Sequence, residues 1–89
     1  MEYHIDLTGV RSPRELHERV QAVLPCPTEM GRNLDALFDL LTERGGDWQI
    51  RFLGCRELEE ILPGYTAALK RMCAAAQAEQ SGLRVEFLP

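Results

Sequence analysis

The sequence is short of almost everything that membrane proteins, nucleic-acid binders and enzymes require. No apolar run approaches the roughly 20 residues of a membrane span, and the opening Met1-Glu2-Tyr3-His4 lacks the basic and apolar regions of a secretory signal. A cytoplasmic protein, with no membrane partner, is the expectation. Basic charge is scarce: 14 acidic residues stand against 10 Lys and Arg, a net charge of -4. Such a surface repels phosphate backbones and favours a basic partner, so DNA or RNA binding is not expected. Cysteine is limited to Cys26, Cys55 and Cys73, an odd number with no Cys-x-x-Cys pair and no zinc-ligand spacing with His4 or His17. They read as reduced thiols, and neither a metal nor a disulfide is expected. A phosphate-cradling glycine loop and a nucleophile-base pair are missing as well, so no cofactor and no catalysis are expected. There is no internal repeat, linker or low-complexity tract.

What is present suits one small folded domain over residues 1–89. A chain this short buries about 60% of its unfolded surface and is modestly stable. Hydrophobic residues make up 45% of it, normal for a globular protein, so neither disorder nor a fibrous fold is indicated.

Tyr3-His4-Ile5-Asp6-Leu7 alternates apolar and polar residues, the pattern of a strand with one covered face. After a turn at Thr8 to Arg11, Ser12-Pro13-Arg14-Glu15 forms a capping box with proline in the first helical position. Leu16, Val20, Val23 and Leu24 give that helix its apolar stripe, and Pro25-Cys26-Pro27 ends it. His4 falls on the polar phase of its strand and His17 beside the helical stripe, which makes them surface or packing residues. The loop from Pro25 to Arg32 is stiffened by proline and hinged by Gly31, a plausible recognition loop containing Glu29 and Met30.

A second helix runs from Asn33, a good N-cap, to about Glu43, where Gly45-Gly46 stops it. Its apolar residues fall at 34, 37, 38 and 41, the spacing of one buried face. Asp35 and Asp39 stand one turn apart beside that stripe, with Phe38 at its border. Like charges at this spacing repel slightly, so the pair is either an ordinary solvated face or a functional one.

Trp48, Ile50 and Phe52 alternate with Gln49 and Arg51 in a second strand closed by Gly54. A short helix over about Arg56 to Leu62 turns Leu58, Ile61 and Leu62 inward and ends at Pro63-Gly64. Tyr65, Ala68, Leu69, Met72, Cys73 and Ala76 mark a longer, alanine-rich helix ended by Ser81-Gly82. Leu83, Val85 and Phe87 alternate in a last strand. The order β-α-α-β-α-α-β, with long helical connections, predicts a three-stranded parallel sheet and about four helices. Since all three strands alternate rather than reading apolar throughout, the helices should cover mainly one face, giving a two-layer α/β domain.

One string is more specific than composition. Gly31, Asn33, Leu34, Asp35, Ala36, Leu37, Asp39 and Leu41 match the Tyr-Gly-x-Asn-Leu-Asp-Ala-Leu-Trp-Asp core of the barstar family, in eight of eleven positions from 31 to 41. The chain resembles that family in length and element order too, though the match outside the second helix is loose. The family comprises intracellular protein inhibitors of secreted bacterial ribonucleases. The resemblance therefore implies a barstar-like fold and a one-to-one complex with a basic ribonuclease, the protein being a monomer when free. It implies that Asp35 and Asp39 meet the ribonuclease active site, with Gly31, Asn33 and Phe38 in the contact surface and Glu29 and Met30 beside them.

The sequence also departs from the family pattern. Two aromatic residues usually precede the motif glycine, where Glu29 and Met30 stand here; the helical tryptophan is Phe38; another aromatic is replaced by Arg44. A glutamate of the last helix falls near Ala75, with Glu79 the nearest acid. Aromatic anchors carry much of the energy of protein interfaces, so these changes favour an alternative, an adaptor or regulatory module that recognises a protein other than a ribonuclease. An enzyme using Asp35 and Asp39 as an acid-base pair is disfavoured, because glycosidase-type carboxylates face each other across a cleft and these share one outward helix face.

Overall fold

A computed structural model describes residues 1–89. The elements, in chain order, are β1 (Glu2–Asp6), α1 (Pro13–Val23), α2 (Leu34–Arg44), β2 (Gln49–Leu53), α3 (Cys55–Ile61), α4 (Pro63–Glu79) and β3 (Arg84–Phe87). The three strands form one parallel sheet in the order β1-β2-β3. Strands that follow one another in both sequence and space, joined by crossovers of one hand, place their connections on one side. The helices accordingly make a single layer.

Alternation along the strands is what separates the two faces. Ile5, Phe52 and Phe87 pair across the sheet in one inward row, and Tyr3, Ile50 and Val85 in the next. Phe52 stacks on Phe87 at 5.2 Å between ring centroids, and Tyr3 meets the buried Trp48 edge-on at 5.4 Å. The opposite face carries Glu2, His4, Arg51 and Glu86, where Arg51 bridges Glu2 and Glu86 at 3.4 Å each. Polar residues on that face leave it to solvent, so the two-layer α/β expectation holds.

The helices cover the inner rows with Leu16, Val20, Leu37, Leu40, Leu41, Leu58, Leu69, Cys73 and Ala76. At the start of α1, Ser12 Oγ accepts the Glu15 amide at 3.2 Å, one half of a capping box, while the Glu15 carboxylate accepts the Ser12 hydroxyl at 3.3 Å; Pro13, having no N–H, leaves no orphan donor at the first helical position. One residue of its expected stripe does not go inside: Val23 is 37% exposed. It is the last residue of α1, and the chain turns extended at Leu24, which buries itself in its place.

His17 is the opposite case. It is fully buried and packs edge-on against Tyr65, so of its two expected roles the packing one applies.

Gly54 joins β2 to α3 in the left-handed region, φ 75°, and a side chain there would meet the Thr8 amide nitrogen at 2.9 Å. Only glycine fits both constraints without strain. Pro63 does more than end α3. It opens α4 at the first helical position, with Leu62 serving as the last cap of one helix and the first of the next. Thr66, polar and so absent from the apolar stripe read in the sequence, is buried at this joint with its hydroxyl shared between the carbonyls of Leu62 (2.7 Å) and Leu58 (3.3 Å). α2 packs on α4, and the Gln80 amide adds a bond to the Thr42 carbonyl at 3.0 Å.

Candidate functional site

The loop between α1 and α2 is fastened at several points. The Met30 amide donates to the Pro27 carbonyl at 3.1 Å, making a turn. From α1, the Gln21 side-chain amide donates to the carbonyls of Gly31 (3.3 Å) and Met30 (3.5 Å). Arg32 lies 3.9 Å from Glu18 of α1, and the half-buried Met30 side chain packs against the core. A largely exposed loop is thereby held to a rigid helix, which lowers the ordering entropy that a partner would otherwise have to offset.

α2 starts where Asn33 Oδ1 accepts the Ala36 amide at 2.8 Å. This bond satisfies one of the orphan donors of the first turn. Gly31 is shaped by the same cap, since a side chain on it would come within 2.8 Å of Asn33 Nδ2. Leu37, Leu40 and Leu41 are buried, while Leu34 and Phe38 are half-buried at the flank of the core. Leu40 extends the inward face beyond the stripe read from the sequence. The exposed face carries Asp35 and Asp39, and the same one-turn step brings in Glu43.

Beside this ladder is a cleft of about 260 Å³, between the loop and the helix. It is lined by Pro27, Met30, Gly31, Ala36, Asp39, Leu40, Glu43 and Arg44. Of the seven residues singled out in the sequence, Met30, Gly31 and Asp39 come together in its walls. Glu29, Asn33 and Asp35 are exposed outside it, and Phe38 lies on the flank of α2 away from the cleft. Pro27, Ala36, Leu40, Glu43 and Arg44 line it as well without having been singled out as site residues, and of these only Glu43 and Arg44 are charged. Extending the i, i+4 step from Asp39 would have found Glu43; for Arg44 the signal was its place at a position where the family pattern has an aromatic residue.

The acids of this face have no internal counter-charge. Every ion pair in the chain uses Glu2, Glu18, Glu59 or Glu86 as its acid. Asp35, Asp39 and Glu43 pair with nothing, although Arg44 lines the same cleft as two of them. Repulsion between carboxylates one turn apart costs about 0.2–0.5 kcal/mol per pair, which a fold selected for stability alone would relieve with a lysine or arginine. The arrangement can attract a cationic group and hold it on a rigid backing.

Fold and surface together define a class: small α/β proteins of β-α-α-β-α-α-β order, with a parallel three-stranded sheet and a capped acidic helix left open to solvent. Residues 1–88 match the family model described as Barstar (barnase inhibitor). The chain therefore belongs to the barstar family. None of the curated proteins compared with it shows a significant sequence match.

Proposed function

We propose that this protein inhibits a barnase-type ribonuclease by placing the acidic face of α2 over its basic active site. The observation that supports this reading most directly is the unpaired ladder of Asp35 and Asp39 on a helix fixed by the Asn33 cap and by the tethered loop before it. A ribonuclease active site gathers arginine, lysine and histidine to hold a phosphodiester and stabilise its transition state. A carboxylate on a rigid helix can occupy the place of that phosphate, with charge-assisted hydrogen bonds to guanidinium and imidazole. Asp39 takes this role, Asp35 supports it, and Glu29, Met30, Gly31, Asn33 and Phe38 form the surrounding contact surface.

The protein then acts as a stoichiometric decoy, in a one-to-one complex and as a free monomer otherwise. No helix is long and apolar enough to cross a membrane. The reading places the inhibitor in the cytoplasm of a bacterium, where it protects the cell from its own secreted enzyme. The second reading, an adaptor that binds another protein, is favoured by one observation, a cationic residue, Arg44, in the lining of the otherwise acidic cleft.

The test is a titration of a barnase-type ribonuclease, preferably one encoded in the same genome, at low and moderate salt. Stoichiometric inhibition that weakens as salt rises is expected. Absence of inhibition of the same-genome enzyme at micromolar protein would overturn the inhibitor reading in favour of the adaptor.

A further inference from the structure

Two clefts of similar size open on the molecule, and their charges are arranged differently. The second, about 250 Å³, is lined by Cys55, Arg56, Glu59, Lys70, Phe87 and Pro89. There the ammonium of Lys70 is already paired with Glu59 and lies 5.6 Å from the centre of the Phe87 ring. In the first cleft the charges of Asp39, Glu43 and Arg44 are unpaired, and Pro27, Met30, Ala36 and Leu40 supply an apolar lining.

We infer that Glu43 is a further specificity-determining residue of the partner-binding face, and that the cleft it shares with Asp39 receives one arginine side chain of the partner. The inference rests on the reading of α2 as the face that binds a basic protein. Its volume falls below the roughly 300–1,000 Å³ of sites for whole small ligands, and suits a single long side chain. Carboxylates at 39 and 43 have Cβ atoms about 5–6 Å apart, a spacing that the two edges of one planar guanidinium can bridge. The apolar lining selects arginine over lysine, because a guanidinium is the more weakly hydrated cation and loses less on entering it.

Arg44 gives the cleft its direction. A cation entering beside Asp39 and Glu43 meets repulsion from Arg44, so the cognate partner carries a carboxylate or carbonyl oxygen next to its arginine. Partners with an arginine but no such acceptor are disfavoured.

The experiment uses the whole protein, labelled with nitrogen-15 and titrated with N-acetyl-arginine amide; N-acetyl-lysine amide and N-acetyl-glutamine amide serve as comparison probes. Saturable shifts of the Met30, Gly31, Leu40 and Glu43 amides at millimolar arginine amide are expected, with weaker binding of the lysine probe and none of the neutral one. Glu43→Gln should weaken arginine binding by about threefold, and Arg44→Ala should tighten it by about twofold, as for exposed charge pairs. Both positions are exposed, and an unchanged spectrum elsewhere establishes that each variant is folded. Equal binding of lysine, shifts spread over the outer sheet face, or an unchanged affinity in Glu43→Gln would overturn the inference. In parallel, the ribonuclease titration is repeated with Glu43→Gln. Inhibition by the wild type that Glu43→Gln leaves intact defeats the cleft assignment alone. Cleft binding without ribonuclease inhibition defeats the inhibitor reading and leaves the cleft assignment standing.

Discussion

The imidazole Nε2 of His17 and the phenolic oxygen of Tyr65 lie 2.5 Å apart, joining the buried face of α1 to the first turn of α4. The other ring nitrogen, Nδ1, is buried without any partner. We assign the neutral tautomer that donates from Nε2 to Tyr65, since an orphaned acceptor costs less than an orphaned N–H. Protonation would put a second N–H at Nδ1, buried and unpaired. Burial therefore holds the His17 imidazolium pKa below its ordinary 6.5 and pushes the Tyr65 hydroxyl up from 10.

The sign for stability follows from proton binding. Above about pH 6.5 His17 is neutral in both states; below it the unfolded chain takes up a proton that the folded one resists, so stability falls with pH. Urea midpoints measured from about pH 7.5 to 5 should decline in the wild type and stay flatter in His17→Asn. Parallel slopes in the two would remove His17 as the cause. Glu2 and Asp6 titrate in a separate, more acidic window. A hydrogen bond to His4 chiefly lowers Glu2 from 4.5, and hydrogen bonds to Thr8 lower Asp6 from 3.8, so what they contribute is present above those values and lost below them.

The cap of α2 can be removed without touching the core. Asn33→Ala should cost about 1 kcal/mol of stability by denaturant unfolding, whereas Asn33→Asp, which can still accept the Ala36 amide, should cost little. Gly31→Ala should behave like a partial loss of the cap, because its methyl would press on Asn33 Nδ2 at 2.8 Å. If Gly31→Ala is additive with Asn33→Ala rather than masked by it, the two residues are not coupled in this way.

These particulars show where sequence reading succeeds. Strands β1, β2 and β3 were legible because a sheet covered on one face must alternate, and Ile5, Phe52 and Phe87 do so in register. The starts of α1 and α2 were legible because Ser12 and Asn33 cap through their own side chains. Long-range placement was not. His17 is polar by identity and buried by its partner Tyr65, 48 residues away; Thr66 is buried because two carbonyls meet at a helix joint. The helical face bearing Asp35 and Asp39 could be read from periodicity. The cleft could not, because its other wall is a loop whose position depends on Gln21 and on the packing of Met30.

The cysteines should differ sharply in reactivity. Burial pushes the Cys73 thiol up to about 12, and burial also raises Cys55, so neither forms appreciable thiolate near neutral pH. Cys26, half-buried in the loop before α2, is the accessible one. Alkylation of the native protein followed by mass spectrometry should label Cys26 first, with Cys55 and Cys73 modified only at rates set by unfolding. Labelling of Cys73 at the rate of Cys26 would contradict the packing of α4 described above.

The sharpest contrast for function is between Asp39 and Glu57. Both are single carboxylates on helices, but Asp39 belongs to the unpaired ladder of α2 and lines the cleft, while Glu57 sits in the first turn of α3, outside both. If α2 masks a basic active site, Asp39→Ala leaves buried cations of the ribonuclease without their carboxylate, at a cost of about 2–5 kcal/mol, or at least about 30-fold in Kd, seen mainly in the off-rate. Glu57→Ala removes only a distant charge and should change affinity by less than about 1 kcal/mol, mostly through an on-rate that salt screens in any case. Stopped-flow and dissociation kinetics on the two variants separate these effects. Equal losses in both would mean that net charge alone drives association and that α2 is not the contact face, whereas a selective loss in Asp39→Ala ties inhibition to a defined carboxylate on a rigid helix.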